Sequence, residues 1–302
     1  MTGAPVPNGA DCVIMVEHTE KISDSTIKFT SNHTNINIAW QGEDIKTGDV
    51  VLKKGTFIKP QHIAILASVG CADPLVYKKP KVAVIATGSE LVEPNLKPGP
   101  TQIRNSNAWQ LIAQIERANA IPAYQGIVVD SEIDTDLAIK KAISENDVVL
   151  LTGGVSMGDY DFVPKILMQN KVNLLFEKIQ IKPGMPTVFG VHENAFIFGL
   201  PGNPVSTFIL FELLVRPFLN KMMGRTNSIS EIKLPLGIDY NRRNADRMAW
   251  IPSKINTEGE LIPVEYHGSA HVNALSDADF IFSIDIGIEK LSKGEKVHAR
   301  PV

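Results

Sequence analysis

The chain has little cysteine, no long apolar run and no excess of basic charge, and each shortage removes a class of function. Its two cysteines, Cys12 and Cys71, have neither a metal-ligand nor a redox spacing, so both read as buried, reduced thiols. No stretch is long enough to span a bilayer, and the opening Met1-Thr-Gly-Ala-Pro-Val-Pro has no basic segment ahead of an apolar one. A cytoplasmic protein with no membrane partner is expected. A net charge of -3 argues against a nucleic-acid partner, so any anion site must be local, built from a few lysines and backbone amides. The dinucleotide fingerprint Gly-x-Gly-x-x-Gly is missing, as are a Ser/His/Asp order, a Cys/His pair and a glycosidase-like pair of carboxylates. His267 and His271 stand in a β context with no third ligand nearby in sequence, which favours a structural role.

What is present is a pair of Gly-rich turns behind apolar runs. One is Asp147-Val-Val-Leu-Leu-Thr-Gly-Gly-Val-Ser-Met-Gly-Asp-Tyr-Asp161, and the other Ala195-Phe-Ile-Phe-Gly-Leu-Pro-Gly-Asn-Pro-Val-Ser206. Each reads as a buried strand, a tight turn and then a helix, a geometry that aims backbone N–H groups at an oxyanion. In the second turn Asn203 stands where an N-cap is wanted and Pro204 at the first helical position. The bland alternative is a tight connection in which Pro and Gly only set backbone angles.

At 302 residues, two or three compact units are expected. Residues 1–55 read as a small β unit with runs at Cys12–Val16, Thr26–Thr30 and Val50–Lys53, and residues 56–76 as a linker carrying one helix over 59–70. Residues 77–226 alternate strand and helix: strands at 81–86, 126–129 and 148–151, and helices over 107–119, with Asn at the cap, and over 134–144. That order predicts a three-layer α/β domain with a mainly parallel sheet, whose ligands bind at the carboxyl ends of the strands. Residues 227–302 read as a final all-β, barrel-like module with runs at 232–238, 249–255, 260–264, 280–284 and 295–299. Leu91–Arg104, rich in Pro, Gly and Asn, reads as a long loop beside the ligand edge.

Charged residues cluster at that edge. Along Lys178-Ile-Gln-Ile-Lys-Pro-Gly184 the alternation puts Lys178, Gln180 and Lys182 on one strand face, where two ammonium groups could clamp an oxyanion; a merely exposed face fits the pattern equally well. Glu90, Asp130, Asp159 and Asp161 lie in or after the turns. Carboxylates repel a phosphate unless a cation sits between them, and Mg2+ would reconcile the two. Helix capping by Asp161 and solvated loop acids elsewhere are the alternatives.

Taken in order, six segments resemble the molybdopterin molybdenumtransferases of the MoeA type, which include the E domain of gephyrin. They are Met1-Thr-Gly-Ala-Pro-Val-Pro, Gly42-Glu-Asp-Ile45, Thr87-Gly-Ser-Glu-Leu91, Gly153-Gly-Val-Ser-Met-Gly-Asp-Tyr-Asp161, Ile181-Lys-Pro-Gly-Met-Pro186 and Gly199-Leu-Pro-Gly-Asn-Pro-Val-Ser206. The resemblance implies insertion of molybdate into adenylylated molybdopterin with release of AMP, and a central molybdopterin-binding domain. By similarity, Glu90, Asp130 and Asp161 would hold Mg2+ and the pyrophosphate region, Lys178 and Lys182 would handle molybdate or phosphate, and Pro201 and Pro204 would shape the adjoining wall. Gly153, Gly154, Ser156, Gly158, Gly202 and Asn203 belong to the matching turns. Thr2 and Asp44 match positions in the small β domain, which in this family reaches the partner's site in a homodimer; Ser269 and Arg247 match positions in the C-terminal module. The family is expected to carry an additional N-terminal portion that this chain lacks, so a catalytically impaired, ligand-binding fragment is one alternative. A molybdopterin adenylyltransferase-like enzyme and a scaffold protein are the others.

Overall fold

The computed structural model describes residues 2–154, 163–225, 231–265 and 268–302. They fall into two compact units: residues up to Lys53 with Ile58–Asp73, and Lys54–Phe57 with Pro74–Val302.

In the first unit a hairpin of β1 (Thr19–Ser23) and β2 (Thr26–Phe29) is followed by loops and by α1 (Pro60–Ser68). Pro60 opens α1, where its missing N–H costs nothing, and Gly70 ends it in a left-handed conformation. Cys12–Val16 and Val50–Lys53 are not strands: both have β-type composition, yet neither finds a neighbouring strand to pair with. The cysteines differ from expectation too, because Cys71 is exposed and Cys12 only partly buried.

The second unit is built on a sheet that the apolar runs predicted. β3 (Lys81–Thr87) leads through the short parallel pair β4 (Leu91–Val92) and β5 (Ile103–Arg104) into α2 (Ser106–Arg117) and β6 (Ile121–Val128). Then come α3 (Glu132–Glu145), β7 (Val148–Thr152), α4 (Val163–Gln169), β8 (Asn173–Lys178), β9 (Ile181–Lys182), β10 (Pro186–Val191) and β11 (Phe196–Leu200). A helix follows in three pieces: α5 (Pro204–Leu210), a π-helical turn (Phe211–Val215) and α6 (Arg216–Met222). The sheet order is β6-β3-β7-β11-β10-β8, parallel through the first four strands and antiparallel at the last two pairings.

The strand period of two explains the layers. Val82, Val84, Ala86, Val148, Leu150, Phe198 and Leu200 face α2 and the α5–α6 helix, whereas Ala83, Ile85, Val149, Leu151 and Ile197 face α3 and α4. Because both faces are covered, the strands read as continuous apolar runs rather than as alternation. The helix after β5 starts at Ser106, with the side chain of Asn105 accepting from Ala108 N–H, so Asn105 and not Asn107 is the cap.

The C-terminal module carries β12 (Ile232–Pro235), β13 (Tyr240–Asn241), β14 (Met248–Ile255), β15 (Leu261–Pro263), β16 (Phe280–Ile284), β17 (Lys290–Leu291) and β18 (Lys296–Pro301). Its main sheet runs β12-β18-β16-β14-β15, and the two ends approach where Gly237 N–H donates to the Leu261 carbonyl, which gives the expected barrel-like closure. Val205, Ile209 and Leu213 of the long helix pack against Trp250 and Ile281 of this module.

Candidate functional site

Four loops emerge at the carboxyl ends of the parallel strands, and Glu90, Asp130, Gly153, Gly154, Pro201, Gly202 and Asn203 lie on them. After β7, Gly153 and Gly154 adopt φ of 94° and 64°, values that a side chain disfavours. At Gly153 space excludes one as well, since a Cβ there would lie 2.5 Å from the Thr87 carbonyl oxygen; one on Gly154 would be tight, at 3.0 Å from a Val163 methyl. This turn is therefore pressed directly onto the end of β3.

The turn after β11 sits beside it. Gly153 N–H donates to the Leu200 carbonyl (3.1 Å), and a Cβ on Gly202 would come within 3.9 Å of the Gly153 Cα. Thr207 closes the far side through its hydroxyl, which donates to the Pro201 carbonyl (2.5 Å). Asn203 occupies the N-cap position and Pro204 the first helical position, as expected, but the Asn203 side chain does not cap. Its amide donates instead to the Ser269 hydroxyl (2.8 Å), while Val205 N–H donates to the Ser269 carbonyl (3.0 Å). Ser269 is thus held against the second turn. The amides of Gly153 and Val205 are committed within the protein, so the oxyanion cradle is narrower than the turn sequences suggest.

Glu90 and Asp130 flank the same edge. Ser89 N–H donates to Asp130 Oδ2 (2.9 Å), and Asp130 N–H donates back to the Ser89 hydroxyl (3.0 Å), a reciprocal clasp between the loops after β3 and β6. Glu90 folds back so that a Cβ on Gly88 would fall 2.6 Å from its Oε2. The structure thus brings two of the three predicted metal acids onto adjoining loops. Asp161, together with Ser156, Gly158 and Asp159, lies outside the described residues, as does His267. Among the described residues no group of three or more His, Cys, Asp or Glu side chains is arranged to hold a metal ion.

The loop after Glu90 is anchored by a polar and aromatic cluster. The Tyr124 phenol donates to Glu93 Oε1 (2.5 Å), Trp109 Nε1 donates to Glu93 Oε2 (3.3 Å), and the Asn105 amide donates to the Tyr124 oxygen (2.9 Å). Burial, reinforced by the hydrogen bond to Glu93 and its charge, holds the Tyr124 proton well above the usual tyrosine range.

The expected single strand over Lys178–Lys182 is broken. Lys178 ends β8 in the central sheet, whereas Lys182 lies on β9, which pairs in parallel with β14 of the C-terminal module. Ile179 packs into the central core and Ile181 against the C-terminal sheet, so two apolar residues that alternate in sequence serve different cores. The common-face argument for the two lysines therefore fails, although both are exposed. Arg247 directly precedes β14, and its carbonyl is held by Arg242, whose guanidinium also donates to the carbonyls of Asp285 and Ile288. Thr2 and Asp44 belong to the first unit and are exposed there; Asp44 lines a hollow of about 940 Å³ with Trp40, Gly42, Lys46 and Asp49.

Sequence reasoning missed Asn107, Thr87, Thr152 and Thr207, which pin the turns together. Their signal was present as polar residues in otherwise buried elements: Thr87, Thr152 and Thr207 are all buried.

This architecture defines a class: a three-layer α/β domain with paired Gly-rich turns and acid-bearing loops at the carboxyl edge of its sheet. Residues 83–221 match the family "Probable molybdopterin binding domain", and residues 1–70 match "MoeA N-terminal region (domain I and II)". The chain is 37% identical over 303 residues to the molybdopterin molybdenumtransferase of Staphylococcus aureus (strain Mu50), covering 98% of this chain and 72% of that one. It is 39% identical over 292 residues to the enzyme of the same name from Staphylococcus epidermidis (strain RP62A), covering 91% and 68%. The fold superposes on a crystal structure titled as the molybdopterin biosynthesis moeA protein of Pyrococcus horikoshii OT3 with a TM-score of 0.81 at 32% identity, covering 100% of this chain and 74% of that one. The chain belongs to the molybdopterin molybdenumtransferase family. One expectation is corrected here: the family's N-terminal region is not lacking, because residues 1–70 are the part that matches it.

Proposed function

We propose that this chain inserts molybdate into the dithiolene of adenylylated molybdopterin, with release of AMP. Family membership supports the reading, and one observation carries it: two Gly-rich turns meet at the carboxyl edge of the sheet, beside loops that carry Glu90 and Asp130. In this reading Gly153, Gly154, Pro201, Gly202, Asn203 and Pro204, with Ser156 and Gly158, receive the pyrophosphate-bearing substrate. Glu90 and Asp130, with Asp161, would hold Mg2+. Their chemistry suits a hard cation, which takes one or two carboxylates and completes its shell with phosphate and water. When bound, such a cation supplies neutralisation of the phosphate charge as AMP departs. Lys178 and Lys182 would hold molybdate as compact cations, and Arg247, beside the strand pairing that positions Lys182, would add a third positive charge.

We further propose a cytoplasmic location and a homodimer; no described helix is long and apolar enough to cross a membrane. The resemblance supports the dimer, as do apolar side chains that the first unit leaves in solvent, such as Val16 and Ile27. Sedimentation of the purified chain at twice the monomer mass is expected; a monomer at all concentrations would remove the dimer.

The chemical test is direct. The chain is incubated with adenylylated molybdopterin, molybdate and Mg2+, and AMP is followed. Molybdate-dependent release is expected, and its absence would sink the assignment. Asp130→Asn keeps an oxygen for Ser89 N–H but removes the charge. It should raise the Mg2+ concentration needed for half activation by more than about tenfold, since losing even an outer partner of a metal ligand costs about 10–100-fold. Unchanged Mg2+ dependence would take Asp130 out of the cation site.

A further inference from the structure

Helix α2 presents a stripe of polar side chains at positions 107, 110, 114 and 117, a spacing that puts them on one face. Each donates to the Pro201–Pro204 turn or to the helix that follows it. Asn107 Nδ2 reaches the Gly202 carbonyl (2.7 Å), and Gln110 Nε2 the Pro204 carbonyl (3.4 Å). Gln114 Nε2 reaches the Phe208 carbonyl (3.3 Å) and Glu212 Oε1 (2.7 Å), and Arg117 pairs with Glu212. The ladder ends on that carboxylate, which is almost fully buried in the π-helical turn and also takes Arg216 (2.6 Å).

Asn107 is the rung that reaches both turns. The same amide nitrogen donates to Thr152 Oγ1 (2.9 Å), the residue just before Gly153. Its oxygen, Oδ1, is buried and has no partner among the described residues. A reversed amide would set that oxygen against the Gly202 carbonyl, so the orientation is determined by chemistry. The position therefore uses the two donors of an amide and leaves its acceptor idle. A carboxylate of the same shape could not replace it.

We infer that Asn107 is a positioning residue: it fixes the spacing between the Gly153–Gly154 turn and the Pro201–Asn203 turn, and through that spacing the affinity for the phosphate-bearing substrate. The inference about affinity rests on the function proposed above. Four proteins test it: wild type, Asn107→Asp, Asn107→Ala and Gln114→Leu, the last weakening the same ladder away from the turns. The measurements are KM for adenylylated molybdopterin, KM for molybdate, kcat, the thermal midpoint, and hydrogen exchange of peptides covering 148–154 and 196–204. Both Asn107 variants should raise the KM for adenylylated molybdopterin by about tenfold or more, the effect of losing two hydrogen bonds, and leave the KM for molybdate unchanged. Exchange should speed up in both peptides. Gln114→Leu should lower the midpoint without moving KM. Asn107→Asp with the wild-type KM and exchange, or an equal rise in KM in Gln114→Leu, would overturn the inference. A wild type that releases no AMP would instead sink the proposed function, and the exchange data would still decide whether Asn107 couples the turns.

Discussion

The central sheet and the N-terminal unit are made of similar residues and are stabilised very differently. In β3, six of seven residues are buried, whereas the hairpin β1–β2 buries none. Among the described residues of the first unit, Leu66 is the one buried apolar side chain; Val16 and Val50 are each 76% exposed. The central site therefore rests on a packed core and on the α2 ladder, while Thr2 and Asp44 sit on a frame with almost no interior of its own. Regions with few buried contacts open locally at low free energy, and regions inside a core open only with the whole domain.

The largest effects should come from the central side of that comparison. Glu212→Gln keeps the shape of the side chain but leaves Arg117 and Arg216 beside a buried neutral group, and should cost about 3 kcal/mol in denaturant unfolding. A loss below about 0.5 kcal/mol would show that solvent reaches the ion cluster. Leu151→Ala, fully buried between sheet and α3–α4, should cost about 2–5 kcal/mol in the same transition. By contrast, Leu66→Ala should leave that transition within about 0.5 kcal/mol and speed only the proteolysis of residues up to 53. If Leu66→Ala instead shifted the main transition as far as Leu151→Ala, the two units would be one cooperative body and the comparison would break.

The smallest effect concerns pH. The folded state keeps the Tyr124 proton that the unfolded chain gives up, because burial and then Glu93 raise its pKa above the ordinary value of 10.0. That contribution is whole below about pH 10 and is lost as the pH rises through the folded pKa. Stability should therefore fall with pH above about 10, and Tyr124→Phe should flatten the fall. Equal slopes in the two proteins would mean that the phenol is open to solvent in the folded state.

Where one residue's environment decides its structure, the sequence was readable. The runs around Val82–Ala86 and Val148–Leu151 have apolar residues for both faces, which leaves a doubly covered strand as the simplest solution. The turns after those strands then had to lie at the ligand edge, and Glu90, Asp130, Gly153 and Gly202 came with them. What could not be read depends on distant neighbours. Ile179 and Ile181 alternate like one strand, and nothing local says that they enter different cores. Cys12–Val16 has strand composition without a partner strand, so propensity alone misleads. Asn105 and Asn107 both suit a helix cap, and only the packing of α2 beside α5 shows that Asn107 serves the turns instead.

The central claim is that two turns held by the core of the α/β domain bind the substrate whose AMP is released. Gly153→Ala tests it most directly, because a Cβ there meets the Thr87 carbonyl at 2.5 Å in a backbone conformation with φ of 94°. Wild type should release AMP in step with the molybdopterin loaded, only when molybdate and Mg2+ are present, and the variant should be at least about 100-fold slower; strain of about 3 kcal/mol placed in the turn is enough for that. Equal rates in the two proteins would contradict the account.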